Sequence, residues 1–338
     1  MKTYKAIEIT TPGKLNLVEK PMREPGPGQV RLKVEAAGIC HTDVFAIEGL
    51  WPGLRYPLVP GHEIAGRIDA LGEGVNNWKL GQRVGVGWYG GNCETCETCR
   101  RGDFVNCANL MTPGFTFDGG YAEFVIVEAR SLANIPEGIS ADQAAPLFCA
   151  GVTTFNALRN AKIRAGDLVA IHGIGGLGHL GIQYARHMGF YTVAIARGKE
   201  KEKLARELGA NRYIDSTSEN PVQALQKMGG ANAILATSAS GKSMNSLLEG
   251  LKTRGKLIIV GVSQEPMEIL TPQLIGGSKA ILSSASGTAI DIEDTLKFSD
   301  QQKIYSMNEI FPLEKGLEAY AKMKNNQARF RIVLKMNE

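Results

Sequence analysis

The sequence has little of several features that mark specialised proteins. No stretch of its 338 residues approaches the roughly 20 apolar residues that a bilayer-spanning helix needs. The segment from Met1 to Ile7 also lacks the apolar run of a secretory signal. Thirty-eight Lys and Arg against 34 Asp and Glu leave a net charge of +4, with no basic block for nucleic acid or lipid headgroups. We therefore expect a cytoplasmic protein that binds neither membranes nor nucleic acid.

Cysteine is also scarce, because six residues are too few for a disulfide scaffold in a chain of this length. Four of them nevertheless share one loop, as Cys93-x-x-Cys96-x-x-Cys99 followed by Cys107. Four thiolates close a tetrahedral zinc site and leave no position for water. Free thiols and an iron–sulfur cluster are the alternatives, although the spacing departs from that of ferredoxins. The loop 93–107 is thus predicted to hold a structural zinc ion.

The length favours two domains, and 43% hydrophobic with 21% charged residues is typical of globular proteins. Short β-like runs, separated by Gly and Pro, indicate a mostly antiparallel β domain in the first 150 residues; they lie at 30–34, 63–68 and 122–127. Continuous apolar runs then alternate with helix-like segments, at 167–172, 192–196, 233–236 and 256–260. This second pattern predicts a parallel sheet covered on both faces. A helix-like segment at 314–324 and a β-like run at 330–334 close the chain.

A glycine-rich hexapeptide follows the first of these apolar runs and precedes a helix-like segment. It reads Gly173-Ile174-Gly175-Gly176-Leu177-Gly178. Between a strand and a helix, such glycines allow a tight turn, close approach of a pyrophosphate, and close packing of the helix on the strand. The pattern predicts a dinucleotide site, with a ligand-free glycine turn as the alternative.

The other two cysteines, Cys40 and Cys149, are far apart in sequence, and His62 lies between them. Two thiolates and one imidazole can bind zinc while leaving its fourth position open to water or a substrate oxygen. Each residue alone is more typical of an ordinary buried thiol or a structural hydrogen-bonding histidine than of a metal ligand. The three together are candidates for a catalytic metal site.

In these features the whole chain resembles the zinc-dependent medium-chain alcohol dehydrogenases, in particular their bacterial and cinnamyl-alcohol-dehydrogenase-like branches. The resemblance rests on the cysteine loop, the glycine motif and four further segments in the family's order, at 38–43, 59–63, 118–123 and 149–154. It implies a GroES-like catalytic domain formed by 1–150 and 287–338, and a Rossmann domain formed by 151–286. It also implies a homodimer or homotetramer.

The resemblance further implies roles for individual residues. Cys40, His62 and Cys149 match the ligands of the catalytic zinc, and Glu63 matches a carboxylate that can approach it. Asp43 matches the carboxylate that orients the zinc-bound imidazole, and Thr42 matches the hydroxyl that takes the alcohol proton. The positions that contact the cofactor pyrophosphate are matched by His41 and Arg331, and those that line the substrate channel are matched by Trp51 and Trp88.

Two positions depart from the family pattern. Many members carry a histidine at the outer end of the proton relay, where this chain has Phe45. Members that use NAD carry Asp at the end of the second Rossmann strand, where this chain has Ala196, followed by Arg197 and, shortly after, Lys199 and Lys201. An acid there would repel a 2′-phosphate, so its replacement beside cations predicts a preference for NADP(H) over NAD(H).

The sequence thus predicts an enzyme with two zinc ions per chain that transfers hydride between NADP(H) and a primary alcohol or aldehyde. Flat apolar walls at Trp51 and Trp88 favour aromatic or medium-chain substrates. The alternatives are a polyol or secondary-alcohol dehydrogenase of the same superfamily, and a zinc-binding structural or interaction protein that has lost catalysis.

Overall fold

The computed structural model describes residues 2–337 and divides the chain into two compact units. Unit 1 contains the residues up to Val152 together with those from Ser286 onward, and unit 2 is Thr153–Ala285. Within the described residues, the structure has no helix that is both long and apolar enough to cross a bilayer.

Unit 1 is built mainly from antiparallel strands. They are β1 (Thr3–Thr11), β2 (Lys14–Pro21), β3 (Gln29–Ile39), β4 (Ile64–Leu71), β5 (Arg83–Val86), β6 (Phe124–Glu128), β7 (Ala133–Asn134), β14 (Asn308–Pro312) and β15 (Arg331–Lys335). One sheet has the order β14-β15-β3-β4-β5-β7, with β6 also paired to β3. Only the β14–β15 pair in this sheet is parallel. Strands β1 and β2 form a separate hairpin.

Alternation of side chains along β3 produces the core of unit 1. Val30, Leu32 and Val34 are buried in one apolar cluster, whereas Lys33 between them is exposed. This period of two is the side-chain period of a strand that packs one face on a core. The cluster also takes in buried residues of β1, β4, β6 and β15, so it joins both ends of the chain.

The helices of unit 1 are short, apart from two near the C-terminus. They are α1 (Asp43–Ile47), α2 (Glu97–Arg100), α3 (Ala141–Ala144), α10 (Ala289–Gln302) and α11 (Gly316–Lys324). A further helix, α4 (Ala150–Arg159), begins in unit 1 and ends in unit 2.

Unit 2 is a parallel sheet with intervening helices. Its strands are β8 (Leu168–His172), β9 (Tyr191–Ala196), β10 (Arg212–Asp215), β11 (Ala231–Ala236), β12 (Leu251–Ile259) and β13 (Ala280–Ser283). Its helices are α5 (Gly178–His187), α6 (Glu202–Glu207), α7 (Pro221–Lys227), α8 (Gly241–Asn245) and α9 (Thr271–Ile275). The strand order is β10-β9-β8-β11-β12-β13, and every pair is parallel. This is the doubly wound order of the Rossmann fold.

The predicted fold class, a GroES-like β domain with a Rossmann domain, is confirmed. Seven strands were not predicted from the sequence, namely β1, β2, β5, β7, β10, β13 and β14. The hairpin between β1 and β2 carries a signal that could have revealed it, because Pro12 precedes Gly13, whose φ is +79°. Pro followed by a glycine with positive φ is typical of a tight type II turn.

Candidate functional site

The strand register of unit 1 brings distant parts of the chain together at one end of the paired strands, which we call the sheet edge. In the antiparallel pair β3–β4, Ala37 lies opposite Ile64, so the end of β3 meets the start of β4. Cys40 directly follows β3 and His62 shortly precedes β4, and the two residues therefore become neighbours. In the same way, β15 pairs antiparallel with β3 and brings Arg331 to this edge.

Cys149 reaches the same place from a short 3₁₀ turn, Ala145–Phe148. The ring of Phe148 packs so closely on Gly85 of β5 that a Cβ at this glycine would lie 2.3 Å from it. The turn is thereby held against the sheet, and Cys149 joins Cys40, His62 and Glu63. One ligand atom from each of these four side chains lies within 4.8 Å of the others.

His62 is fully buried, and its two ring nitrogens differ in their surroundings. Nδ1 lies 2.8 Å from Oδ1 of Asp43, whereas Nε2 is buried and has no hydrogen-bond partner among residues 2–337. A carboxylate acceptor at Nδ1 favours the tautomer with its proton on that nitrogen, which leaves a lone pair on Nε2. An imidazole nitrogen and two cysteine sulfurs form a donor set that suits zinc.

Asp43 is itself held by several donors and has no exposed surface. Its Oδ2 accepts hydrogen bonds from the Cys40 backbone N–H at 2.9 Å and from the Tyr121 hydroxyl at 2.7 Å. Burial, followed by the Asp43 charge, raises the pKa of Tyr121 well above its usual range, so the phenol stays a donor. No role was predicted for Tyr121, although it lies in the segment 118–123, which is one of those that resemble the family.

The proton-binding atoms of the site influence one another strongly. The hydrogen bond with Cys149 holds the pKa of Cys40 well below its usual range, and the same bond raises the pKa of Cys149 well above it. Burial opposes protonation of His62, but the charges of Asp43 and Cys40 raise its pKa well above its usual range. A metal ion competes with protons for these thiol and imidazole atoms.

Glu63 and Arg331 form a buried ion pair beside these residues. Nη2 of Arg331 donates to both carboxylate oxygens of Glu63, at 2.5 and 2.6 Å. Burial raises the pKa of Glu63 to about 7, although the Arg331 charge acts in the opposite direction. Gly38 makes room for this carboxylate, since a Cβ there would lie 1.9 Å from Oε2.

Three aromatic rings form a cluster beside His62, and two of them, Trp88 and Phe115, contact its imidazole ring. The ring centroid of Trp88 lies 5.3 Å from that of His62, and Phe115 lies 5.1 Å from Trp88. Trp51 contacts both, at 6.0 Å from Trp88 and 5.5 Å from Phe115. Trp51 and Trp88, both predicted to line the substrate channel, thus lie in one aromatic cluster that also contains Phe115, a residue not predicted from the sequence. No short-range pattern marks Phe115, because its neighbours come from other segments.

The residues that follow Cys40 lie on or near α1. His41 is exposed, and Thr42 occupies the position before the first helical residue. Phe45 packs against the core cluster of unit 1. A phenyl ring cannot relay a proton, so this position offers no side-chain route from Thr42.

The four cysteines of the loop 93–107 also converge, with one sulfur from each within 4.8 Å of the others. Sγ of Cys107 lies 3.5 Å from that of Cys93 and 3.9 Å from that of Cys96. Polar groups surround the sulfurs; the Asn92 side-chain amide, for example, donates to Cys99 at 3.4 Å. This closed set of four thiols matches the chemistry of a structural zinc site.

In unit 2 the glycine motif forms the turn from β8 into α5. Gly173 has a φ of +93°, and a Cβ at Gly178 would lie 1.8 Å from the Gly173 carbonyl oxygen. Gly175, in contrast, has open space where a Cβ would stand. Two glycines are thus needed by the turn itself, and Gly175 leaves the backbone accessible. Gly176 and Leu177 complete the motif before α5.

The end of β9 carries the residues expected to select the cofactor. Ala196 is the last residue of the strand, and Arg197 after it is exposed. Asp215, at the end of β10, accepts a hydrogen bond from the Gly198 backbone N–H at 2.8 Å. Lys201 donates to the carbonyl of Ile174 in the glycine motif at 2.8 Å. The Lys201 contact ties the segment after β9 to the turn after β8.

Comparisons with known proteins agree with this arrangement. The family described as "Alcohol dehydrogenase GroES-like domain" matches residues 26–137, and the family described as "Zinc-binding dehydrogenase" matches residues 176–301. The alcohol dehydrogenase patD of Penicillium expansum is 45% identical over 335 residues, which cover 99% of this chain and 98% of that protein.

Solved structures resemble the whole chain as well. A cinnamyl alcohol dehydrogenase from Sorghum bicolor has a TM-score of 0.89 at 30% identity and covers 99% of this chain and 98% of its own. CAD from Helicobacter pylori, complexed with NADP(H), has a TM-score of 0.88 at 26% identity, with 98% of each chain covered. Acetophenone reductase from Geotrichum candidum, in complex with NAD, has a TM-score of 0.86 at 26% identity and covers 99% and 98%. Since both family descriptions and a full-length relative match, the chain belongs to the zinc-binding medium-chain alcohol dehydrogenases.

Proposed function

We propose that this alcohol dehydrogenase depends on zinc and transfers hydride between NADP(H) and a primary alcohol or aldehyde of aromatic or medium-chain type. One observation carries the proposal. Nε2 of His62 is buried without a partner among residues 2–337, and it lies beside the sulfurs of Cys40 and Cys149. A buried polar atom without a partner is costly, and a metal ion at this position would remove the cost.

The proposed domains follow the two units. Residues 1–150 with 287–338 form the catalytic domain, and 151–286 form the dinucleotide-binding domain. We propose two zinc ions per chain, one held by Cys40, His62 and Cys149 with Glu63 nearby, and one held by the four cysteines of the loop 93–107. The second ion stabilises the loop and takes no part in the reaction, because four thiols leave no position for a substrate.

The reaction depends on what the chain's own residues hold in place. When bound, zinc polarises the substrate oxygen and the nicotinamide accepts or donates hydride. Asp43 keeps the proton of His62 on Nδ1, so that Nε2 stays a ligand. The hydroxyl of Thr42 takes the proton of the alcohol. The rings of Trp51, Trp88 and Phe115 exclude water from the substrate and offer no partner for additional hydroxyl groups.

Candidate cofactor contacts occur in each unit. In unit 2, the glycine turn 173–178 is proposed to accept the pyrophosphate at the start of α5. In unit 1, His41 and Arg331 match family positions that contact a cofactor pyrophosphate, and Nε of Arg331 is buried without a hydrogen-bond partner in the described chain. Ala196 removes the charge that would repel a 2′-phosphate, while Arg197 and Lys201 supply positive charge. Among the solved relatives, CAD from Helicobacter pylori is complexed with NADP(H) and acetophenone reductase is in complex with NAD, so the proposed NADP(H) preference rests on these side chains.

Steady-state assays test the whole proposal. We expect NADPH-dependent reduction of benzaldehyde and cinnamaldehyde, followed as loss of nicotinamide absorbance, with NADH used less efficiently. The variant Cys149→Ser is the control and should show no turnover. Equal efficiency with NADPH and NADH would contradict the cofactor preference, and better turnover of sorbitol would favour a polyol dehydrogenase. No turnover with any alcohol or aldehyde would favour a zinc-binding protein without catalysis. Cytoplasmic location and assembly into a homodimer or homotetramer stay predictions.

A further inference from the structure

A buried tyrosine lies directly behind the carboxylate that orients His62. Tyr121 has no exposed surface, and its hydroxyl donates to Oδ2 of Asp43 at 2.7 Å. The other oxygen of Asp43 lies 2.8 Å from Nδ1 of His62. A continuous hydrogen-bonded chain therefore runs from the phenol through the carboxylate to the imidazole.

The position of Tyr121 is fixed independently of that hydrogen bond. Its backbone N–H donates to the Pro60 carbonyl at 3.0 Å, and its carbonyl accepts from the Ile7 N–H at 2.7 Å. Its ring also fills the space beside Gly61, where a Cβ would lie 2.4 Å from a ring carbon. Gly61 adopts a φ of +103° and directly precedes His62. The same side chain thus packs against the segment that carries the imidazole and bonds to the imidazole's partner.

The Tyr121 hydroxyl supplies a second hydrogen bond to Oδ2 of Asp43. Without it, the Cys40 backbone N–H at 2.9 Å is the one donor that Oδ2 of Asp43 keeps within residues 2–337. A carboxylate with one donor fewer is held less firmly against rotation about its Cβ–Cγ bond. Rotation would lengthen the contact with His62 Nδ1 and loosen the tautomer that leaves Nε2 unprotonated.

We propose that Tyr121 is a positioning residue for the Cys40–His62–Cys149 metal site, acting through Asp43 on the orientation and tautomer of His62. This inference rests on the ligand set given under the proposed function. It assigns to the tyrosine a role in metal retention that is separate from its contribution to the core.

The variant Tyr121→Phe tests this, because it keeps the ring against Gly61 and removes only the hydroxyl. Zinc release from the purified chain to a chelator such as EDTA is followed by metal analysis, with the four-cysteine site of the same molecule as internal reference. We expect release from the three-residue site to be about 5–10-fold faster, at the lower end of what partners of metal ligands contribute. Release from the four-cysteine site should not change.

Two further variants separate positioning from general destabilisation. Tyr56 is a matched control, because its hydroxyl donates to the Ala46 carbonyl of α1 at 2.7 Å instead of to Asp43. Tyr56→Phe should leave both release rates unchanged. In an Asp43→Asn background, Tyr121→Phe should have little further effect, since the two changes interrupt one chain of hydrogen bonds.

The outcomes distinguish this inference from the proposed function. A wild-type chain that binds zinc only at the four cysteines would contradict the ligand set itself. Two zinc ions in the wild type, with equal release rates in wild type and Tyr121→Phe, would overturn the positioning role alone. Equal acceleration at both sites would show a general loss of stability and would also overturn it.

Discussion

At the end of β9, Ala196 presents a methyl group where an acidic side chain would exclude a 2′-phosphate. We expect the double variant Ala196→Asp with Arg197→Ser to shift cofactor specificity from NADP(H) towards NAD(H). The expected shift is about 1–3 kcal/mol, the scale of a lost charged hydrogen bond combined with a new repulsion. The measurement is kcat/KM for both cofactors. Lys227→Ser, which removes an exposed cation on α7, is the control and should leave the ratio unchanged.

Phe115 contacts the rings of His62 and Trp88, and it also contacts Trp51. We expect Phe115→Ala to lower kcat/KM for cinnamaldehyde by about tenfold relative to acetaldehyde, because an aromatic substrate loses apolar contact worth about 1–2 kcal/mol. Phe190→Ala removes a comparable buried ring from unit 2 and should reduce stability without altering the ratio. If the ratio of kcat/KM for cinnamaldehyde to that for acetaldehyde is unchanged in Phe115→Ala, Phe115 does not contact the substrate.

Phe45 stands where the family resemblance predicts the last histidine of a proton relay. Since its ring is partly buried against the core of unit 1, the proton from Thr42 is proposed to leave through the cofactor ribose and water. Alcohol oxidation should then need alkaline conditions, whereas aldehyde reduction proceeds near neutral pH. We expect Phe45→His to raise oxidation relative to reduction at neutral pH. Identical pH–rate profiles in the variant and the wild type would contradict this relay argument.

At the scale of elements, the loop 93–107 and the edge formed by β3, β4 and β15 assemble their candidate metal sites in different ways. The four cysteines come from one segment, whereas Cys40, His62 and Cys149 come from three segments, the first two joined by the pairing of β3 with β4 and the third held by the packing of Phe148 on Gly85. A metal in the loop contributes to local folding, and a metal at the sheet edge is held by a framework that strand pairing already supports.

Variants of the two cysteine groups should therefore behave differently. Cys149→Ser is expected to abolish turnover and leave a folded chain with one zinc ion. Cys96→Ser should mainly lower the thermal midpoint or the solubility, because it removes a ligand from the structural site. Metal content, circular dichroism and aldehyde reduction measured on both variants provide the test. One zinc ion or none in active, fully folded wild-type protein would rule out the two-site assignment.

At the scale of the whole molecule, His172 makes the free energy of unfolding decrease as the pH becomes acidic. Burial lowers its pKa to about 4, and its Nδ1 is inaccessible without a hydrogen-bond partner in the described part of the chain. Because the unfolded chain binds a proton near pH 6.5 and the folded chain does so only near pH 4, the folded state loses stability as the pH falls through this interval. The contribution to the free energy of unfolding is at most about 3 kcal/mol.

Urea unfolding at pH 7 and pH 4.5 measures this contribution. We expect His172→Asn to show a smaller loss of stability between the two pH values than the wild type, because the substituted side chain does not titrate. His41→Asn, which removes an exposed imidazole, should follow the wild type. Equal losses in wild type and His172→Asn would show that the acid sensitivity arises from other groups.

Patterns confined to short stretches of sequence could be interpreted without coordinates. The Rossmann unit follows from buried strands alternating with helices, and Gly173 and Gly178 follow from the strict steric needs of one turn. Strands β10 and β13 were missed because each has only four residues and little room for a pattern. The hairpin of β1 and β2 was not predicted, because its two strands lack continuous apolar runs and its clearest sequence signal is the Pro12-Gly13 turn.

The sequence by itself determined the antiparallel β domain, the parallel sheet with helices, the four-cysteine loop and the glycine turn, since each is defined by residues that lie close together along the chain. The joining of both chain ends in one GroES-like domain was implied by the family resemblance. Only the tertiary structure decided which side chains surround His62. The Tyr121 hydroxyl on Asp43, the Arg331 guanidinium on Glu63 and the Phe115 ring near His62 join residues that are distant in sequence. Their distances depend on strand register and core packing, and a shift of one residue in the pairing of β3 with β4 would displace His62 and Glu63, which precede β4, relative to Cys40, which follows β3.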